Sequence, residues 1–324
     1  MKIITQVNKK SLFIILFSTL FSIVVALIPW WSLRGNTYYD RENYIFFIDI
    51  VPNKLEWFNF DGILSKIMNE WGWHKFLQVM ISDFGLTSGP ILFIVTFLCV
   101  FTASIFLTKR YFILSFLFLL NPIFIDFAVS QLRLAFAMSI LMIGYWLYSK
   151  KNFLYIPILL ATPFIHTSSV LFIFIIGMTL ILSKANKIPA KIKTIISLVS
   201  GVIVSIVTGP LMSVILSRFE DRRAEYNDMS SPLLYMIFWL VLYFYFLIKG
   251  IMEKSEKSFT FYISISVMTM IVMGLIFGGY PLRFVAACFP FIIAAILDNK
   301  GKEKHIIIYS YVFFTLVLWG FWFT

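Results

Sequence analysis

Three basic side chains occur at comparable places along the chain. Arg133 opens an apolar run in Ser130-Gln131-Leu132-Arg133-Leu134-Ala135-Phe136-Ala137. His166 lies in the interruption Pro163-Phe164-Ile165-His166-Thr167-Ser168-Ser169. Arg283 follows the turn-forming Gly278-Gly279-Tyr280-Pro281-Leu282. A guanidinium presents a planar fork that suits phosphate or carboxylate. A histidine at a helix start is held neutral and can hydrogen-bond a ligand, because that end of the helix favours anions. A fourth group is the polar string Tyr38-Tyr39-Asp40-Arg41-Glu42-Asn43-Tyr44, with Arg34 shortly before it. A fifth is the mixed-sign stretch 218–225, carrying Arg218, Arg222 and Arg223. The chain has no Walker, GxSxG or HExxH pattern and no metal-ligand spacing, so neither a metal nor a cofactor is expected.

These residues must be positioned by apolar helices. Of 324 residues, 60% are hydrophobic and 13% charged, with a mean hydropathy of +0.90. A soluble globule could not hide that much apolar surface, and 37 Phe with 15 Tyr and 9 Trp exclude a solvated coil. Long unbroken apolar runs, rather than short alternating ones, argue for spanning helices and against a barrel. The expectation is an all-α polytopic membrane protein of about eleven spans, a single transmembrane domain over 1–324. Cys99 and Cys288 fall within apolar runs and are read as packing residues without a disulfide.

Charge sets the topology. Read as one helix, the run 153–182 would put Lys150 and Lys151 opposite Lys184, Lys187, Lys191 and Lys193; a break at 163–166 puts both clusters inside. The inner segments then hold 17 basic and four acidic residues and the outer ones 10 and 12, in agreement with the net +11. The net charge is thus a topology signal and no argument for nucleic acid. Of 19 Lys, 16 fall inside; of eight Arg, all but Arg110 fall outside. The positive-inside rule does not require that sorting, so the outer arginines suggest an anion site. Compositional drift is the plainer alternative.

The longest outer segment is 32–88, and a second covers 217–231. Phe60, Ile63, Leu64, Ile67, Met68 and Trp71 share one helical face, and a second amphipathic stretch covers 74–80. Both are expected as interfacial helices, either capping the bundle or flooring a cavity in which Tyr and Trp stack on sugars while Asp and Glu accept hydroxyl hydrogen bonds. From Leu134 to Tyr148 a helix is about 22 Å long against a hydrocarbon core of about 30 Å. Arg133 is therefore expected below the outer surface, either facing a wet cavity or an anion, or snorkelling to anchor the helix end. Ser130 is the expected N-cap. No predicted span carries an acidic residue at mid-depth, which argues against an ion-coupled transporter.

Asp40-Arg41-Glu42-Asn43-Tyr44, then Glu56-Trp57-Phe58, Arg133-Leu134-Ala135 and His166-Thr167-Ser168-Ser169, taken in that order, resemble the Wzy-type O-antigen polymerases and the related EpsG-like exopolysaccharide proteins. The resemblance covers roughly residues 34–175; the later half matches only in hydropathy and in Arg283. It implies a bacterial inner-membrane glycosyltransferase with a cytoplasmic N-terminus and a periplasmic site. Such an enzyme joins repeat units carried on undecaprenyl pyrophosphate, amid membrane lipids and with a possible chain-length regulator as partner. On that reading Asp40 or Glu42 is the base and His166 the runner-up. Arg34, Arg41, Tyr44, Arg133, Arg218, Arg222, Arg223, Tyr280 and Arg283 would bind pyrophosphate or sugar without a metal. A ligase-like transferase and a flippase or transporter of lipid-linked sugar are the alternatives.

Overall fold

The computed structural model describes residues 9–35, 37–50, 58–217, 232–300 and 302–323. Among them every regular element is helical. Seven helices are long and apolar enough to cross a membrane, or eight if one bent pair counts as a span. The chain is thus a polytopic membrane protein in its helical make-up. The described residues form two units, Met1–Val170 with Gly320–Thr324, and Leu171–Trp319.

In the first unit, α1 (Lys9–Leu27) is followed by the short α2 (Trp30–Arg34), α3 (Tyr39–Asp49), α4 (Gly62–Met68) and α5 (Trp71–Gln78). Then come α6 (Ser88–Arg110), a 3-10 segment (Ile113–Leu119), α7 (Pro122–Ser130), α8 (Leu132–Ser149) and α9 (Tyr155–Ile165). The 3-10 segment and α7 meet at 79°. The bend has a local cause: Asn121 caps α7 by accepting from the Ile123 N–H at 3.0 Å, and Pro122 occupies the first turn, where its missing N–H costs nothing.

These elements run back and forth between two ends. At one end the Asp49 carboxylate caps α6, accepting from the Ser88 N–H at 2.9 Å and the Ser88 hydroxyl at 2.6 Å. There too Arg41 donates to Val129 O at the close of α7 (3.3 Å), and Tyr44 meets Arg133 at the start of α8. At the other end Lys109 lies over the Trp146 ring (5.4 Å), and Tyr148 packs edge-on to Tyr155 (5.2 Å). The described acids of this unit belong to the first end or, like Asp126, to the helix leading to it; Lys9, Lys10, Lys109, Arg110, Lys150 and Lys151 belong to the second.

Several sequence expectations shift at this level. The apolar run 111–125 would leave Asp126 just outside a span, but α7 continues as helix to Ser130 and brings Asp126 inside it. Ser130 does not cap α8; its hydroxyl donates to Asp126 O and Oδ1, both at 2.8 Å, and Gln131 takes the cap position. The outer segment forms two amphipathic helices, but they break at Asn69–Glu70, with Glu70 in the left-handed region (φ 52°, ψ 46°). Helix α4 buries no residue and exposes Ile63 and Leu64, whereas α5 buries Trp73 and His74. Helix α5 can pack inward because Gly72 leaves room beside the Phe164 carbonyl, where a Cβ would stand 3.0 Å from the oxygen.

The break near 163–166 is present. Pro163 cannot donate to Leu159 O, and the buried Thr162 hydroxyl takes that carbonyl instead at 2.8 Å. Helix α9 ends at Ile165, and α10 (Ser169–Lys184) begins beyond a short link.

The second unit contains most of α10, then α11 (Ala190–Thr208), α12 (Pro210–Ser217), α13 (Leu233–Met252) and α14 (Phe259–Phe277). Helices α15 (Pro281–Ala287), α16 (Phe289–Leu297) and α17 (Lys302–Trp322) follow, and only the last turn of α17 belongs to the first unit. Helices α11 and α14 touch through small residues: Ser200 Oγ lies 2.8 Å from Ser266 Oγ, Ser266 donates to Ser197 O (2.8 Å), and Gly201 faces the Ser266 carbonyl with no room for a Cβ. Ion pairs gather at one end, among them Lys193–Glu256 (2.7 Å) and Lys249–Glu303 (2.7 Å). Cys99 and Cys288 are free and buried.

Candidate functional site

A polar cluster lies at the acidic end of the first unit, and its centre is Glu70. The Glu70 side chain is only 2% exposed, and its Oε2 accepts from Arg133 Nη1. Its Oε1 accepts from the Thr167 N–H at 3.3 Å and lies 3.7 Å from His166 Nδ1, too far for a hydrogen bond. Arg133 also donates through Nε to Tyr44 Oη (3.0 Å), and its guanidinium carbon is 5.7 Å from the Tyr44 ring centre. Tyr44 is braced edge-on by Trp73 at 5.7 Å. Burial pushes the Tyr44 phenol above its ordinary pKa, with Arg133 acting in the opposite sense, so it stays neutral. The charge of Asp40 acts on both Tyr44 and Arg133.

Each side chain is placed by a nameable local feature. Arg133 sits in the first turn of α8, above a layer in which Ile48, Trp73, Ile91, Leu132 and Ile165 pack together. Asp40 and Glu42 lie in the first turn of α3, where acidic groups favour the positive end of the helix. Glu70 reaches inward because the chain reverses hand there; the left-handed conformation of a non-glycine residue costs about 1–2 kcal/mol. The Thr167 hydroxyl donates to Ile67 O (2.9 Å) and so satisfies a carbonyl at the end of α4. The α9–α10 link and the α4–α5 break thus hold each other.

His166 has a defined hydrogen-bonding state. The Ser168 N–H donates to His166 Nδ1 at 3.2 Å, and Ser168 Oγ lies 2.8 Å from the same nitrogen. Nδ1 is therefore an acceptor, and the proton of the neutral ring is on Nε2. In that tautomer Nδ1 is not available to take a proton.

The remaining candidates divide. Arg41 lies 4.0 Å over the Trp31 ring and donates to Val129 O; burial lowers its pKa, with Glu42 and Tyr38 opposing. Arg34 lies against Tyr38 (5.0 Å) and Trp322 (5.5 Å). Glu42 is exposed. Arg283 and Tyr280 belong to the second unit and stack on one another at 4.4 Å. Arg218, Arg222 and Arg223, and with them the second outer loop, lie outside the described residues, as do Glu56 and Trp57. No group of three or more potential metal ligands occurs among the described residues.

No protein-family model matches the chain, and neither a curated protein nor a solved structure shows significant similarity to it. Functional inference therefore rests on the residues themselves.

Sequence reasoning missed Glu70. It fell inside a stretch read as one amphipathic helix, where an acid on the solvent face draws no notice. The available signal was Asn69-Glu70 between two apolar-periodic stretches, a plausible helix stop that would turn the next side chain aside. Arg133 does have an anion beside it, and that anion belongs to the protein.

Proposed function

We propose that the protein is a membrane-embedded glycosyltransferase that joins lipid-pyrophosphate-linked oligosaccharide units at the outer face of a bacterial cytoplasmic membrane, as the polymerases of O-antigen, capsule or exopolysaccharide do. The observation that carries this reading is the Glu70–Arg133–Tyr44–His166 cluster, with Arg133 and His166 partly exposed, at the acidic end of its unit, opposite an end that is purely basic among the described residues. Polar chemistry gathered at one face suits transfer at that face better than passage through the membrane.

The topology belongs to the same proposal. The first unit makes five passes between its ends: α1, α6, the bent pair, α8 and α9. The second makes six: α10, α11, α13, α14, the α15–α16 pair and α17. Eleven crossings with the basic ends in the cytoplasm follow if every pass spans. The contact of Trp322 with Tyr38 (6.0 Å) supports an odd total, since the chain then ends on the side where α3 begins.

In the reaction, a hydroxyl oxygen of the acceptor sugar bonds to the anomeric carbon of the donor glycan. The bond from that carbon to the pyrophosphate oxygen breaks, and the electron pair leaves with the lipid pyrophosphate. The hydroxyl proton needs a carboxylate. Glu70 is held by Arg133 and the Thr167 N–H; Asp40, half-buried in the first turn of α3, is the candidate base, with Glu42 of the same turn as the alternative. His166, 21% exposed at the α9–α10 link, is a candidate to position the substrate.

The test is deletion of the gene, with complementation, followed by gel analysis of surface polysaccharide. The expected result is collapse of a chain-length ladder to a single repeat unit, restored by the wild-type gene and not by Asp40→Asn. An unchanged ladder overturns the proposal, and loss of the single-unit band as well would redirect it to ligation or flipping.

A further inference from the structure

Resting on the transferase reading above, we propose that the Arg133 cluster is the subsite for sugar hydroxyls and not for the lipid pyrophosphate. Three observations point that way. The first is charge. Arg133 is in contact with the carboxylate of Glu70, and Asp40 acts on it as well. His166 is neutral in the hydrogen-bonded form described above. The starts of α8 and α10 add about half a positive charge each, so the cluster as a whole is close to neutral. A pyrophosphate with more than one negative charge gains nothing there and would have to compete with Glu70, whereas a neutral polyol meets no such opposition.

The second is the pattern of donors. The Nε and Nη1 atoms of Arg133 are committed to Tyr44 and Glu70, which fixes the guanidinium plane. Its Nη2 has no hydrogen-bond partner among the described residues, and the side chain is 34% exposed. Tyr44 accepts from Arg133, which leaves its own hydroxyl proton to donate. One N–H of Arg133 Nη1 and both of Nη2 remain beside the Tyr44 hydroxyl, a set of neutral-ligand donors in which Glu70, already on the guanidinium, opposes a phosphate but not a hydroxyl oxygen.

The third is an acceptor. Gln131, the residue at the cap of α8 two positions before Arg133, has a buried Oε1 with no hydrogen-bond partner among the described residues. A buried carbonyl oxygen needs a donor. A sugar hydroxyl can donate to it, and an ionised pyrophosphate cannot.

The test uses the full chain in lipid nanodiscs and saturation-transfer NMR. The probe is the free single-repeat oligosaccharide released by mild hydrolysis from the producing cell's own polysaccharide; inorganic pyrophosphate is the competitor. The wild type is expected to bind the oligosaccharide, Tyr44→Phe to bind it about tenfold more weakly, and pyrophosphate not to displace it. Glu70→Gln, which keeps the shape and removes the charge, is expected to become sensitive to pyrophosphate. Its fold is checked by the thermal transition of tryptophan fluorescence, and if it does not fold, the Tyr44→Phe and wild-type arms decide. Oligosaccharide displaced by pyrophosphate from the wild type, or bound equally by Tyr44→Phe, overturns this assignment and leaves the transferase reading standing. Failure of the wild type to bind oligosaccharide overturns both.

Discussion

Removing the two partners of the Glu70–Arg133 pair should have unequal consequences. Arg133→Ala strands a carboxylate whose side chain is 2% exposed and cannot reach water. Breaking a buried pair from that side costs about 3–5 kcal/mol. Glu70→Ala instead leaves a guanidinium that is 34% exposed and still bonded to Tyr44, so it can rehydrate. The loss is then nearer that of one charged hydrogen bond, about 1.5–3 kcal/mol, and at the lower end because of solvent screening. The double variant leaves no carboxylate without its cation and should be no less stable than Arg133→Ala, which gives a coupling at least as large as the Glu70→Ala loss, about 1.5–2 kcal/mol. The assay is chemical unfolding of the four proteins in one detergent, followed by tryptophan fluorescence. Equal single effects that add in the double variant would refute the placement of Glu70 as the buried counter-ion. Lost activity in Arg133→Ala alone reports folding as much as chemistry, so Arg133→Lys and the double variant belong in any activity series.

Two further outcomes follow from separate features. Gly201 faces the backbone carbonyl of Ser266 with no space for a methyl group, so Gly201→Ala should push α11 from α14 and destabilise by about 1–3 kcal/mol, read as a lowered unfolding midpoint; an unchanged midpoint would mean that the close approach is absent. Burial holds the folded-state pKa of Tyr44 above the ordinary phenol value of about 10, so its stabilising contribution is complete below pH 10 and is lost as pH rises through the folded value. The stability advantage of the wild type over Tyr44→Phe should therefore shrink above pH 10, and an advantage that grows there would contradict the burial of the phenol.

The helical membrane character, the helix break near 163–166 and the gathering of bases at one end of the first unit were legible in the chain, whereas the bend before Pro122 and the breaks at Gly209 and Cys288 were not. Each legible feature depends on how a residue partitions between water and hydrocarbon, or on local rules for Pro, Gly and short polar side chains, and these need no knowledge of distant neighbours. The break after Pro163 and the entrance at Arg133 are of that kind. The identity of the partner of Arg133 is not. Glu70 is 63 residues away, and its significance arises from a reversal of backbone hand at one position, from a glycine that lets α5 approach α9, and from a threonine after α9 that ties two helix ends together. Sequence placed an unneutralised arginine at a helix entrance and inferred that an anion must come to it. Tertiary structure supplied the anion from within the chain, because in a low-dielectric interior the nearest carboxylate decides the local charge, and proximity across separate helices is what a linear pattern does not carry.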